Sequence, residues 1–199
     1  MTGEPKRKYT LEEYFDLERS SNGRYEYWDG DVFCISGVSD AHDQIEGNTS
    51  YALRRLLEGK QCRVFTANMR IKVPSLPPYR YADVSALCAQ AVFEKIGGVD
   101  VLTNPMLIVE VLSESSEAYD RGDKFTHYKS IPSLREYLLI AQHRPHITQY
   151  VKQEGGSWSY QEVNQLTDSI DLPSVDCVLQ LNEVYRRVTF PEHPSPNIH

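Results

Sequence analysis

A glutamate interrupts an otherwise apolar run, Leu107-Ile108-Val109-Glu110-Val111-Leu112, and Asp120, Lys124 and Tyr128 follow it at four-residue intervals. A lone carboxylate in a buried strand is costly unless a cation or hydrogen-bond donors meet it. Upstream, Asp83 interrupts Tyr81-Ala82-Asp83-Val84-Ser85-Ala86-Leu87 in the same way. Side chains alternate along a strand, so Glu110 and Leu112 share a face while Val111 points the other way. Paired strands carrying Asp83 and Glu110 bring two carboxylates together, an arrangement favourable mainly with a cation between them. Few, hard oxygen ligands suit magnesium or manganese rather than zinc. On the next helix Asp120, Lys124 and Tyr128 lie about one turn apart and share a face. The Lys124 ammonium then serves to position or deprotonate a water, or to stabilise a pentavalent phosphate. This is the equipment of a magnesium-dependent phosphodiesterase.

Each residue also has an ordinary explanation. Asp120 and Lys124 at i, i+4 make a common helix ion pair, worth a few tenths of a kcal/mol. Asp83 suits a loop cap, and Glu110 suits a pairing with an arginine such as Arg70. The conjunction of two strand carboxylates with a lysine and a tyrosine on the next helix tips the balance toward chemistry.

Around these residues, the elements read as mixed α+β. Thr10 with Glu13 is a capping box opening a short helix that stops near Asn22-Gly23. Two alternating runs, 24–28 and 31–35, are joined by Asp29-Gly30, a strong hairpin signal. A helix with Ile45, Ala52, Leu53, Leu56 and Leu57 on its apolar face stops at Gly59. Strands are expected over 62–66, 69–73, 81–87 and 107–112, with a loop of mixed charge over 93–104. A helix over 120–130 crosses to a strand at 136–141, forming a β-α-β unit in an otherwise antiparallel sheet. Strands at 146–151 and 157–163, turning at Gly155-Gly156, and a closing helix over 179–188 complete the pattern. There is no internal repeat.

At 199 residues with 40% apolar and 25% charged residues, the chain suits one soluble domain. The expected division is a polar tail over 1–8, one domain over 9–190 and a proline-rich disordered tail over 191–199. The polar, basic start shows no secretory signal and no apolar run approaches membrane length, so a cytoplasmic protein is expected. Cys34, Cys62, Cys88 and Cys177 form no C-x-x-C pair, and are read as small buried hydrophobes rather than zinc ligands or disulfides. His143, His146, His193 and His199 are read as solvated loop or tail residues. A net charge of −7 counts against a nonspecific nucleic-acid binder, though not against a nuclease with a locally basic surface. Candidates for such a surface are Lys6-Arg7-Lys8, the group Arg54, Arg55, Lys60 and Arg63, and Arg186-Arg187.

The segments Arg24-Tyr25-Glu26-Tyr27-Trp28-Asp29-Gly30, His42, Ala82-Asp83-Val84 and Pro105-Met106-Leu107-Ile108-Val109-Glu110-Val111-Leu112-Ser113 resemble the Uma2 family. Asp120, Lys124, Tyr128 and Glu136-Tyr137 continue the resemblance in order, so that it covers roughly residues 9–188. That family is similar to the PD-(D/E)XK nucleases, which implies a restriction-endonuclease-like mixed sheet flanked by helices, with an additional N-terminal hairpin. The resemblance makes Asp83 the motif aspartate and Glu110 the second carboxylate. Leu112 stands where the motif lysine usually is, and the resemblance gives that role to Lys124. Ala82 stands where the family usually has proline, a change that alters rigidity more than chemistry. The implied protein is a metal-dependent endonuclease hydrolysing phosphodiester bonds by in-line attack of a metal-activated water. Asp83, Glu110 and the Val111 carbonyl would hold Mg2+ or Mn2+, Lys124 would orient the nucleophile, and Tyr128 would orient Lys124 or a phosphate oxygen. Glu26 and His42 are secondary catalytic candidates. The expected partners are nucleic acid, with DNA foremost, and a second copy in a two-fold dimer, to which Tyr25, Tyr27, Trp28 and Phe33 could contribute an interface. The rival reading is a non-catalytic interaction module on a nuclease-like scaffold. A third, a hydrolase of a small phosphorylated molecule, requires a closed pocket.

Overall fold

The computed structural model describes residues 7–190 apart from 22, 36 and 115. Residues 1–6 of the tail expected over 1–8, the tail expected over 191–199, and Asn22 of the expected helix stop at Asn22-Gly23 fall outside the described residues. Helix α1 (Leu11–Ser20) opens on a reciprocal box: the Glu13 N–H donates to Thr10 Oγ1 at 3.2 Å and the Thr10 N–H to Glu13 Oε2 at 2.8 Å. Strands β1 (Arg24–Trp28) and β2 (Asp31–Ile35) form the expected hairpin. Asp29 and Gly30 both take positive φ, as a two-residue primed turn requires. Helix α2 (Asp40–Leu56) is capped by Ser39.

Four short strands follow: β3 (Arg63–Thr66), β4 (Arg70–Ile71), β5 (Arg80–Tyr81) and β6 (Val84–Leu87). The run expected as one strand over 81–87 is broken at Ala82-Asp83, and the two pieces join different sheets. The break has a physical cause. Where β6 would continue along its neighbour, the Asp83 carboxylate takes the Val111 N–H at 2.6 Å, replacing a ladder bond with a side chain. The stretch expected as a loop over 93–104 is a hairpin, β7 (Phe93–Ile96) and β8 (Val99–Leu102), turning on Gly97 and Gly98 at positive φ. Exposure of most β7 side chains blurs the alternation that would have announced it.

Strand β9 (Leu107–Leu112) leads into one continuous helical stretch: α3 (Glu117–Tyr119), a π turn (Asp120–Lys124) and α4 (Phe125–Tyr128). It crosses to β10 (Glu136–Ala141), which runs parallel to β9 in the expected β-α-β unit. Strands β11 (Ile147–Lys152), β12 (Trp158–Val163), β13 (Ser169–Leu172) and β14 (Cys177–Gln180) follow, then α5 (Leu181–Val184). The closing helix expected over 179–188 is therefore shorter, because Cys177 to Gln180 alternates inward and outward and pairs with β13 instead.

The main sheet has the order β12-β11-β10-β9-β6-β3, and β5-β4-β8-β7 forms a second sheet. Alternation along β9 divides the core between two faces of the main sheet. Leu107, Val109 and Val111 pack with Ile45 and Leu53 of α2, and with Leu181 and Val184 of α5. Ile108 and Leu112 pack with Phe125 and Tyr128 of α4. Cys62 and Cys88 form a disulfide across β3 and β6, against the expectation of isolated buried thiols. The antiparallel Arg63–Leu87 pairing sets the two cysteines opposite one another, a proximity that sequence spacing conceals.

Candidate active site

Two groups of side chains converge from opposite faces of the main sheet on one of its ends. From the α2 face, Ser39 Oγ accepts the His42 N–H at 3.2 Å, fixing the first turn. His42 and Glu46 stand one turn apart, with buried Ile45 anchoring the helix between them. His42, 7% exposed, brings Nε2 to 3.3 Å from Asp83 Oδ1. That approach is of ion-pair length but off the line of a hydrogen bond, so Nε2 is buried without a hydrogen-bond partner. Among the described residues, His42, Glu46 and Asp83 place one ligand atom each within 4.8 Å of one another.

From the other face, Glu110 is 3% exposed and both its oxygens are engaged. The Tyr128 hydroxyl donates to Oε1 at 2.8 Å, and Lys124 Nζ lies 2.9 Å from Oε2. Lys124 also lies 3.2 Å from Asp120 Oδ1, itself buried without an aligned donor. Asp120 and Lys124 are thus no exposed surface pair, and Arg70 is not the partner of Glu110: it pairs with Glu18 at 3.0 Å. The π turn carries Asp120 and Lys124, a wider turn of the sort found at functional sites in helices. Tyr137 OH donates to the Asp120 carbonyl at 3.0 Å, holding this turn to the sheet.

His42 and Asp83 of the first group and Glu110, Asp120 and Lys124 of the second line one cavity of about 650 Å³. Among the described residues its walls carry the carboxylates of Glu26, Asp83, Glu110, Glu114 and Asp120, and the strong cations Arg24 and Lys124. Burial alone would raise Asp83, but His42, Lys124 and the Val111 N–H together hold it below the ordinary carboxylate range. Burial pulls His42 downward, and Asp83, Glu46 and Asp120 outweigh it to raise the imidazole. Burial likewise opposes charge on Lys124, yet Glu110, Tyr128 and Asp120 keep it an ammonium well above the ordinary lysine range.

The expected residues are therefore gathered, though not into one ligand set. Asp83, Glu110, Val111, Lys124, His42 and Glu26 line the cavity, and Tyr128 sits behind Glu110. Glu26 faces the buried Arg80 at 3.8 Å and accepts the Tyr81 N–H at 3.2 Å. Val111 gives its N–H to Asp83. Sequence reasoning passed over Glu46 and Arg80. The His42/Glu46 spacing on an amphipathic helix was a readable signal for Glu46, whereas nothing local marks Arg80 as buried.

A divalent cation fits this chemistry. Lys124 already serves Glu110 and Asp120, and Arg80 faces Glu26. Asp83 and Glu46, however, converge beside His42, a pair of carboxylates that a cation would stabilise, and the buried His42 Nε2 has no aligned hydrogen-bond partner. One imidazole and two carboxylates suit manganese, and magnesium where water completes the shell.

Comparison with known proteins bears on this site. The Uma2 model, described as "Putative restriction endonuclease", matches residues 11–182. An uncharacterised protein of Synechocystis sp. is 32% identical over 183 residues, covering 92% of this chain and 94% of its own. A second protein of that organism is 32% identical over 154 residues, covering 77% of this chain and 86% of its own. The fold is similar to that of a crystal structure described as "a putative nuclease" from Anabaena variabilis. The TM-score is 0.68 at 14% identity, covering 88% of this chain and 98% of that one.

Proposed function

This chain belongs to the Uma2 family of restriction-endonuclease-like proteins, and we propose that it is a divalent-metal-dependent endonuclease acting on nucleic acid, with DNA the expected substrate. One observation carries the reading: the Lys124 ammonium stands between Glu110 and Asp120, at 2.9 and 3.2 Å, in the cavity that also receives Asp83 and His42. A stability role alone leaves unexplained why a lysine and three acids are gathered in one cleft beside a buried imidazole.

Asp83, His42 and Glu46 would hold the cation, with the Val111 carbonyl a further candidate. Glu110, whose oxygens are taken up by Tyr128 and Lys124, would join them only on giving up one of those partners. The cation, Mg2+ or Mn2+, supplies neutralisation of a phosphate oxygen and a lowered pKa for water. Lys124 is held protonated, so it does not take a proton from water. It presents a fixed ammonium to the charge that grows on the phosphorane oxygens, where a preorganised donor acts most strongly. Tyr128 fixes Glu110, and Glu110 with Asp120 fixes Lys124. Glu26 acts by holding Arg80 in place rather than by meeting substrate. Two such sites in a two-fold dimer would reach both strands of a duplex, and sedimentation at high protein concentration tests that arrangement.

Incubating purified protein with DNA and RNA, with Mg2+ or Mn2+ and beside an Asp83→Ala control, tests the central reading. Cleavage that requires the metal and disappears in the control is expected. A folded, metal-loaded protein that cuts neither would favour the interaction module.

A further inference from the structure

We propose that a second cavity, on the far side of the turn joining β3 to β4, holds the phosphate backbone of the strand whose scissile bond lies in the first. The proposal rests on the nuclease reading and assigns the extended part of its substrate. The cavity measures about 570 Å³ and is lined by Arg54, Lys60 and Arg63 with Leu57 and Phe65.

The two cavities share a wall. Arg24, lining the first, donates to the Ala67 carbonyl at 3.0 Å. Thr66, Asn68 and Met69 of the same turn line the second cavity. A chain leaving the acidic centre would cross this turn to enter the basic cavity.

The charges are arranged for such a chain. Many basic side chains among the described residues are committed to carboxylates, as Arg55 is to Glu183, Lys72 to Glu94 and Arg121 to Glu117. Among the described residues, Arg24, Arg54 and Arg63 have no carboxylate within ion-pair distance, and they flank the shared wall on both sides. Lys60 is shared with Asp176 at 2.9 Å. The carbonyl end of α2 carries the opposite sign near this cavity, as does Glu58, and with Lys60 shared with Asp176 the cavity's free positive charge is that of Arg54 and Arg63. Arg63 is stacked over Phe65 at 4.9 Å and lies 5.7 Å from the Phe93 ring. Stacking restrains the guanidinium, leaving its fork free for bidentate contact with phosphate. Phosphate neutralisation is also what a chain of net charge −7 needs locally to hold a polyanion.

The test uses two substrates with manganese: bis(p-nitrophenyl) phosphate, which reports the centre alone, and oligonucleotides of rising length. The Arg54→Glu/Arg63→Glu double variant is expected to raise KM for long oligonucleotides about tenfold or more. It should also flatten the slope of log affinity against log salt by about two, one for each lost phosphate contact. Hydrolysis of the small diester should not change. Long oligonucleotides cut as well by the variant as by the wild type would overturn the proposal. So would an equal loss on both substrates, or loss of a dimer in the variant, which would assign the cavity to a second copy. A wild type that hydrolyses neither substrate removes the nuclease reading itself, and the proposal with it.

Discussion

Lys124 is where the ordinary and the chemical accounts of this site make opposite forecasts. An exposed Asp120–Lys124 pair would be worth at most about 1 kcal/mol, and its loss would barely register. Here the ammonium is largely enclosed, with side-chain exposure of 13%, between two buried acids. Lys124→Ala should therefore lower kcat by about 10²- to 10³-fold, the effect of removing one preorganised donor, while metal affinity measured by calorimetry stays near wild type. Lys124→Arg should fail as well, since a planar fork does not reproduce a compact ammonium. Full turnover in a folded Lys124→Ala protein would make this lysine structural. Glu18 gives a second prediction at this scale. Its buried carboxylate accepts from Tyr81 OH at 2.7 Å, Tyr79 OH at 3.2 Å and the Tyr25 N–H at 2.7 Å, besides Arg70 at 3.0 Å. Glu18→Ala should cost about 3 kcal/mol or more in urea unfolding, because it leaves a half-buried guanidinium and buried hydroxyls without their acceptor.

Between elements, Glu136 ties the start of β10 to the β13–β14 hairpin. It is fully buried, accepts the Ser174 N–H at 3.1 Å and meets Gln149, which also donates to the Asp171 carbonyl. Burial raises its carboxyl above the ordinary value of 4.5, against the pull of Ser174 and Gln149. The folded protein therefore binds more protons at this residue than the unfolded chain does. By linkage this contribution is greatest below the ordinary value and is lost as pH rises through the elevated one. Glu136→Gln should flatten the decline of stability with pH above 4.5, read by urea unfolding at several pH values; an unchanged slope would remove Glu136 as its source. The early hairpin is likewise held by side chains, with Tyr25 and Tyr27 packed on the Tyr14–Tyr79 cluster. Trp28 and Phe33 remain about half exposed.

For the molecule as a whole, the disulfide between Cys62 and Cys88 spans 26 residues and ties the outermost strand of the main sheet to its neighbour. Closing a loop of that size stabilises by about 3 kcal/mol in the chain-entropy account. Reduction, or a Cys62→Ala/Cys88→Ala variant, should lower Tm by several degrees and leave the cleft between α2 and the π turn intact; an unchanged Tm on reduction would show that the bond carries no global stability. Among the described residues no helix is long and apolar enough to cross a membrane.

Local chemistry made much of this protein readable in its sequence. The Thr10–Glu13 box, the Asp29-Gly30 turn and the apolar stripe of α2 are decided by contacts within a few residues, and each formed as read. The strand residues gathered at the cleft were legible because carboxylates are conspicuous in apolar strands, and Lys124 and Tyr128 because helical spacing aligns them. What escaped depends on partners distant in the chain. Asp83 sits in a break because Val111, 28 residues away, offers it an N–H. Glu46 joins His42 and Asp83 only because α2 packs on the face of β9 opposite to Glu110. Cys62 meets Cys88 only through strand register. Sequence spacing determines which side chains a helix or strand presents; only the packing of α2 and the π turn on opposite faces of one sheet end decided which of them meet.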